Sequence, residues 1–354
     1  MHDHSLTQPD SSATPIRFYG TASEYFGIWI TNLLLTIVTF GIYSAWAKVR
    51  TQRYFYGNTE IDGHSFQYHA NPVSILFGRL FVIAAILFID GSHFVSPTLY
   101  FILAAALFFA LPALINGSLR FNARMTTYRN VQFDFQSTYW KAFWACLIAP
   151  IIGVLTFFIF MPAASKILHE YLADGFSYGG AKFELQNRLR PYIEAYLVAV
   201  SLLLLLISAT FFLYVSGFIG TGLPQQGQTV PPGQLTYFLL VTFLAIAAFS
   251  TFPTFLRTQL SNLLFEGLVF DGAHRFESKM SPFEMMWIVA TNLIAVGLTF
   301  GLMSPWAKIR VTSYRLSKMA FIPGGDLAAY QAEVTSDSVI ADEAIDALDF
   351  PISI

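Results

Sequence analysis

The sequence predicts an all-α polytopic membrane protein with short cytoplasmic β-hairpins and an internal repeat of interrupted helices. Three observations lead there. Only 12% of the 354 residues are charged while 55% are hydrophobic, which leaves too little polar surface to coat a water-soluble globule. Seven apolar stretches, at 25–46, 73–90, 97–116, 143–162, 192–217, 235–255 and 283–306, approach the roughly 20 helical residues that cross a hydrocarbon core. Residues 31–50, TNLLLTIVTFGIYSAWAKVR, return at 291–310 as TNLIAVGLTFGLMSPWAKIR, with eleven of twenty positions identical. Self-similarity of that strength reads as duplication.

The elements follow in order. Residues 1–15 are polar, rich in Ser, Thr, Asp and Pro, and are expected to form a disordered tail. They lack the basic, apolar and small-residue sequence of a cleaved signal. The first apolar stretch is interrupted at Gly41. It ends on Trp46, placed to sit in an aromatic belt, followed at once by Lys48 and Arg50, a pattern that marks a cytoplasmic exit. Glu60 to Tyr68 reads as a tight hairpin turning at Asp62-Gly63. The second and third stretches form a pair, with Arg79 inside the second. The fourth has a break near Pro150 and Gly153, and a hairpin turning at Gly179-Gly180 follows it. The fifth and sixth stretches lead to a third hairpin at Asp271-Gly272. The seventh repeats the first, with a break at Gly301 and anchors Trp306, Lys308 and Arg310. Residues 16–323 therefore read as one membrane domain. The segment 324–354, with seven acidic residues and no Lys or Arg, reads as an acidic cytoplasmic tail.

Basic residues set the sidedness. Loops 91–96 and 218–234 contain no Lys or Arg, and every other connection contains at least three. This sorts cleanly if the second, third, fifth and sixth stretches cross. The first, fourth and seventh then enter and leave on the cytoplasmic side as re-entrant or interfacial segments. A seven-crossing topology would divide the basic residues almost evenly.

Several function classes drop out. A formal net charge of -2 offers nucleic acid no basic footprint. The single cysteine, Cys146, excludes a disulfide framework within the chain and a cysteine metal site. No metalloprotease, nucleophile-elbow or phosphate-loop motif is present, so no catalytic residue, cofactor or metal is expected. The polar intramembrane candidates are Asn32, Asn292 and Arg79, which need partners in an apolar setting. They serve a lipid- or partner-binding scaffold as helix-packing groups, or a small-solute transporter or channel as a polar path. The partners expected are anionic lipids at the cytoplasmic face and a protein docked on the hairpin layer or the acidic tail.

The segments TFGIYSAWAKVR and TFGLMSPWAKIR, the opening IRFYGTASEYFGIWITNLL and the closing ADEAIDALDFPISI make the chain resemble the YjgN-like family of bacterial inner-membrane proteins, a family of unknown function. The resemblance covers residues 16–354. It implies a multi-pass protein of the bacterial cytoplasmic membrane and implies no reaction. One departure is that Met303 and Pro305 stand where the first copy has Tyr43 and Ala45.

Overall fold

A computed structural model describes residues 13–221 and 232–324. Most of the expected N-terminal tail, part of the loop 218–234 and all but the first residue of the acidic tail therefore lie outside the described residues. One design recurs five times, a helical hairpin followed by a β-hairpin. The first unit is α1 (Ala22–Val38), α2 (Ser44–Gly57), β3 (Thr59–Ile61) and β4 (His64–Tyr68). The second is α3 (Pro72–Ser92), α4 (Pro97–Arg124), β5 (Thr126–Tyr128) and β6 (Val131–Phe135). The third is α5 (Tyr139–Leu155), α6 (Met161–Gly175), β7 (Phe176–Tyr178) and β8 (Ala181–Leu185). The fourth is α7 (Leu189–Thr221), α8 (Pro232–Gly267), β9 (Leu268–Phe270) and β10 (His274–Ser278). The fifth is α9 (Pro282–Leu298), α10 (Ser304–Ser317) and β11 (Met319–Ile322). Its second strand comes from the other end of the chain, as β1 (Thr14–Pro15) and β2 (Arg17–Phe18).

The expectation of an all-α fold with separate hairpins is overturned here. The hairpins join edge to edge into one eleven-stranded, fully antiparallel sheet close to a barrel. The physical reason is the edge. A two-stranded hairpin leaves a row of unpaired N–H and C=O groups on each side and is marginal alone. Here each hairpin covers its neighbour's edge. Closure falls to the N-terminal strand, whose first half pairs with β11 and whose second half pairs with β3. The Ile16 N–H between the halves donates to the Met319 carbonyl at 3.1 Å. Thr14 and Pro15 are therefore ordered strand residues, although the sequence placed them in the tail.

Local chemistry explains the hairpins. Four turns place two consecutive residues at positive φ, at Asp62-Gly63, Arg129-Asn130, Gly179-Gly180 and Asp271-Gly272. That is the signature of the I′ turn, which suits the twist of short antiparallel strands. The Arg129-Asn130 turn escaped sequence reading because it contains no glycine. An aromatic pair bridges each of four unit-to-unit junctions: Phe66–Tyr128 at 4.8 Å, Phe133–Tyr178 at 4.8 Å, Phe183–Phe270 at 4.9 Å and Phe276–Phe321 at 5.3 Å. Each pair lies directly opposite in the ladder, where such contacts stabilise a sheet most.

Helix length divides the units into two kinds. The four helices α3, α4, α7 and α8 are long and apolar enough to cross a bilayer. They match the four stretches that the basic residues single out. The helices α1, α5 and α9 are apolar but of 17 residues each. Four of the units start on a side-chain cap, in which Thr21, Asn71, Thr138 and Ser281 accept from the N–H of Glu24, Val73, Lys141 and Glu284. The break expected near Pro150 and Gly153 lies elsewhere. A π-helical turn at Trp144–Ile148 precedes Pro150, α5 continues to Leu155, and the chain reverses just after it.

Candidate functional site

Three turns between short helices share one geometry. At Phe40-Gly41 the φ values are 49° and 90°, and at Phe300-Gly301 they are 49° and 92°. Phe157-Phe158 adopts 50° and 68° with no glycine at all. A threonine anchors each turn. Thr39, Thr156 and Thr299 donate to the carbonyls of Leu35, Ile152 and Ala295, and accept from the N–H of Tyr43, Phe160 and Met303. The N–H groups of Gly41, Phe158 and Gly301 each reach a carbonyl five residues back at 2.8 Å. The sequence carried a signal for the middle turn, Leu155-Thr156-Phe157 beside Val38-Thr39-Phe40 and Leu298-Thr299-Phe300. The Phe at the second glycine position obscured it.

The tips of these turns are bare. Phe40 and Phe300 are each 98% exposed and Phe157 88%. Ile37, Val38, Leu155, Ile159 and Leu298 around them are exposed as well. Positive φ costs a non-glycine residue roughly 1–2 kcal/mol, yet each tip shows phenylalanine where glycine or asparagine would fit without strain.

Below the helices, the strand ring surrounds an apolar lumen. Its cavity of about 390 Å³ is lined by Tyr128, Tyr178, Phe270 and Phe321 among others. A second cavity of about 370 Å³ adjoins it, sharing Tyr56, Phe66, Phe133 and Phe183, and rises between the helix ends at Leu119 and Leu172. The Tyr128 O–H donates to the Ile61 carbonyl and the Tyr178 O–H to the Tyr128 carbonyl. The polar ends of these rings are thus occupied, and the lumen is left to carbon.

The polar candidates separate. Asn292 is closed by the protein: its amide donates to the Ala307 carbonyl, and its oxygen accepts from Arg310 at 3.1 Å. Arg310 also donates to Thr291 and lies over the Trp306 ring. Arg79 donates to the Ser44 hydroxyl at 2.6 Å, so α3 is tied to the base of the first turn. Asn32 lines a cleft of about 400 Å³ between α1, α2 and α10, together with Ser44, Lys48 and Lys308. Trp46 stacks on Tyr43, and Arg50 points to solvent. Gly41 and Gly301 are turn residues, as their place in the sequence suggests. Four further arginines of the connections are engaged within the protein. Arg53 and Arg120 donate to the carbonyls of Tyr68 and Phe135, while Arg124 and Arg129 pair with Asp134 and Asp62. The Arg124 hydrogen bond holds the Asp134 carboxyl at about 2, well below its usual range.

A model of the family described as bacterial proteins of unknown function, DUF898, matches residues 13–347. The chain belongs to that family. It is 24% identical over 352 residues to the inner membrane protein YjgN of Salmonella typhimurium, covering 87% of this chain and 88% of that protein. Inner membrane protein YjgN of Escherichia coli O157:H7 is 32% identical over 170 residues, 46% of this chain and 42% of that protein. No solved structure matches. The family member described here is an inner-membrane protein, in keeping with its relatives and its four long apolar helices. The family match begins one residue before β1, so it takes in the closing strand of the ring.

Proposed function

We propose that this protein is a lipid-interacting scaffold of the cytoplasmic leaflet. Two helical hairpins, α3–α4 and α7–α8, cross the bilayer. The three short helical hairpins enter it only part-way, and the strand ring lies on the cytoplasmic side with both termini. The three bare phenylalanine tips carry this reading, because such surface is stable in hydrocarbon and costly in water. The basic residues Lys48 and Lys308 each lie eight positions beyond their tip Phe. By helical rise that separates tip and headgroup level by about 10 Å, which puts the tips inside one leaflet. Repeated units built by duplication account for the shared turns. The hairpin turns at the far side of the ring offer a platform on which a cytoplasmic protein docks, and the scaffold reading includes no catalysis.

Depth measurement tests this. Single cysteines at positions 40, 157 and 300, in a chain lacking Cys146, are labelled with a fluorophore and quenched by nitroxide lipids of graded depth. Maximal quenching within the cytoplasmic leaflet is expected, with a cysteine at position 94 labelled only from outside. Tips reached by a water-soluble maleimide would sink the proposal.

Transport is the weaker reading, because Asn292 and Arg79 direct their polar groups to neighbours and neither lines the Asn32 cleft. The lumen supports a second lipid role, holding one acyl or prenyl chain, since its lining is almost wholly apolar and apolar cavities take apolar guests. Organic extraction of the purified protein measures it.

A further inference from the structure

The cleft between α1, α2 and α10 poses a problem that its counterpart in the second copy does not. Asn32 and Asn292 are equivalent in sequence and equally buried, each 6% exposed. Arg310 and the Ala307 carbonyl satisfy Asn292. The corresponding Arg50 turns outward, and the Asn32 carboxamide oxygen is buried with no hydrogen-bond partner among the described residues. An unpaired buried acceptor is destabilising, so a donor from outside the chain that reaches it would be favoured there.

The charge in the cleft specifies more. Lys48 and Lys308 both line it, no Asp or Glu does, and neither lysine forms an ion pair among the described residues. Lys308 is held over the rings of Tyr25 and Phe55, at 5.4 and 4.5 Å, which fixes a cation without neutralising it. A second large polar cleft, between the second and third units, balances its lysines and Arg120 with Asp134 and Asp174 and makes no such demand. The apolar wall matters equally. Trp29 and Leu33 line the cleft, one turn apart on α1, and Ile37 continues their stripe toward the tip, where it is exposed. A ligand that fits is anionic at one end, carries a hydroxyl donor, and trails a hydrocarbon chain.

We propose that this cleft binds one anionic phospholipid of the phosphatidylglycerol type. Its phosphodiester lies between Lys48 and Lys308, a headgroup hydroxyl donates to the Asn32 oxygen, and an acyl chain follows Trp29, Leu33 and Ile37. The proposal rests on the scaffold reading above, in which the α1 tip lies in the cytoplasmic leaflet.

Native mass spectrometry of the full chain tests it, after exchange into an equimolar mixture of dioleoyl phosphatidylglycerol, phosphatidic acid and phosphatidylcholine. The wild type is expected to retain one phosphatidylglycerol in preference to both other lipids. Lys48→Gln with Lys308→Gln should cut its occupancy at least fivefold, and Lys48→Arg with Lys308→Arg should restore it. Asn32→Val should abolish the preference over phosphatidic acid, which lacks the headgroup hydroxyls. Equal retention of phosphatidylcholine by the wild type, or full retention by the Gln pair, overturns the assignment. So does binding of free glycerol phosphate without retention of the lipid. A variant that melts well below the wild type is replaced by Lys308→Gln alone, for which the same loss of preference is required. Tips found in the bilayer with no selective lipid retained would defeat this inference and leave the scaffold reading standing.

Discussion

His274 shows how one side chain ties ring closure to pH. It is 5% exposed, stacked between Phe270 and Phe321, and its Nδ1 accepts the Gly324 N–H at 3.0 Å. Burial pulls its pKa below the usual 6.5, with Asp271 opposing. The folded protein therefore favours neutral imidazole, while the unfolded chain takes up a proton near pH 6.5. Stability is full above that pH and drains away as pH falls toward the lowered folded value. The melting temperature in detergent should drop between pH 7.5 and 5.5, and His274→Gln should lessen that slope without abolishing it, because burial also pulls His169 down, to about 4. Gly175 offers a second test. A Cβ there would lie 2.3 Å from the Phe135 ring, which is fully buried and flanked by Tyr171 and Phe176. Gly175→Ala should cost about 1–3 kcal/mol of stability, read by thermal denaturation. Sequence reading found Asn32, Asn292 and Arg79 because polar groups stand out against carbon. It had no means of telling that one amide would be closed and its twin left open, since that depends on the path of Arg310 against Arg50.

At the scale of elements, the turns were legible wherever glycine marked them and illegible where it did not. Gly41, Gly301 and three of the hairpins announced themselves, whereas Arg129-Asn130 and Phe157-Phe158 reach positive φ on side chains that disfavour it. The places of the long helices were legible from apolar runs, though α4 and α8 continue to Arg124 and Gly267, past the ends of their runs at 116 and 255, and the loops empty of Lys and Arg matched the four long helices. Pro150 misled, because a π-helical turn just before it lets the helix continue. The tips yield the prediction proper to this scale. Replacing Phe40, Phe157 and Phe300 together by Asp removes three exposed rings and adds three charges, each costing about 2.5–3.5 kcal/mol at membrane depth. The strand ring should remain folded by circular dichroism. A fluorophore on a single cysteine at position 37, exposed beside the first tip, should lose its quenching by nitroxide lipids, while the four long apolar helices keep the protein in the vesicles.

For the whole molecule, the ring of strands was the hidden feature. Each hairpin is a local signal, but pairing β4 with β5 or β8 with β9 depends on helices returning to one level, which no short window of sequence reports. Closure by β1 and β2 is more remote still, joining Thr14 to Phe321. Deleting residues 13–18 would expose the edges of β3 and β11 while leaving every helix intact. The shortened chain should insert normally yet melt earlier and associate in detergent, as size-exclusion chromatography would show.

The seam between the chain's two ends also sets a clock. Strands β1 and β2 are made first and β11 some three hundred residues later, an interval of roughly 15–60 s at ordinary rates of synthesis. Until β11 is made, neither β1 nor β10 has its partner on that side, and an arc of the four earlier hairpins keeps both outer edges unpaired. The pairings of β11, with β10 and with β1, are therefore the last that synthesis allows. A cell that wished to hold this protein open would need only to occupy its first strand.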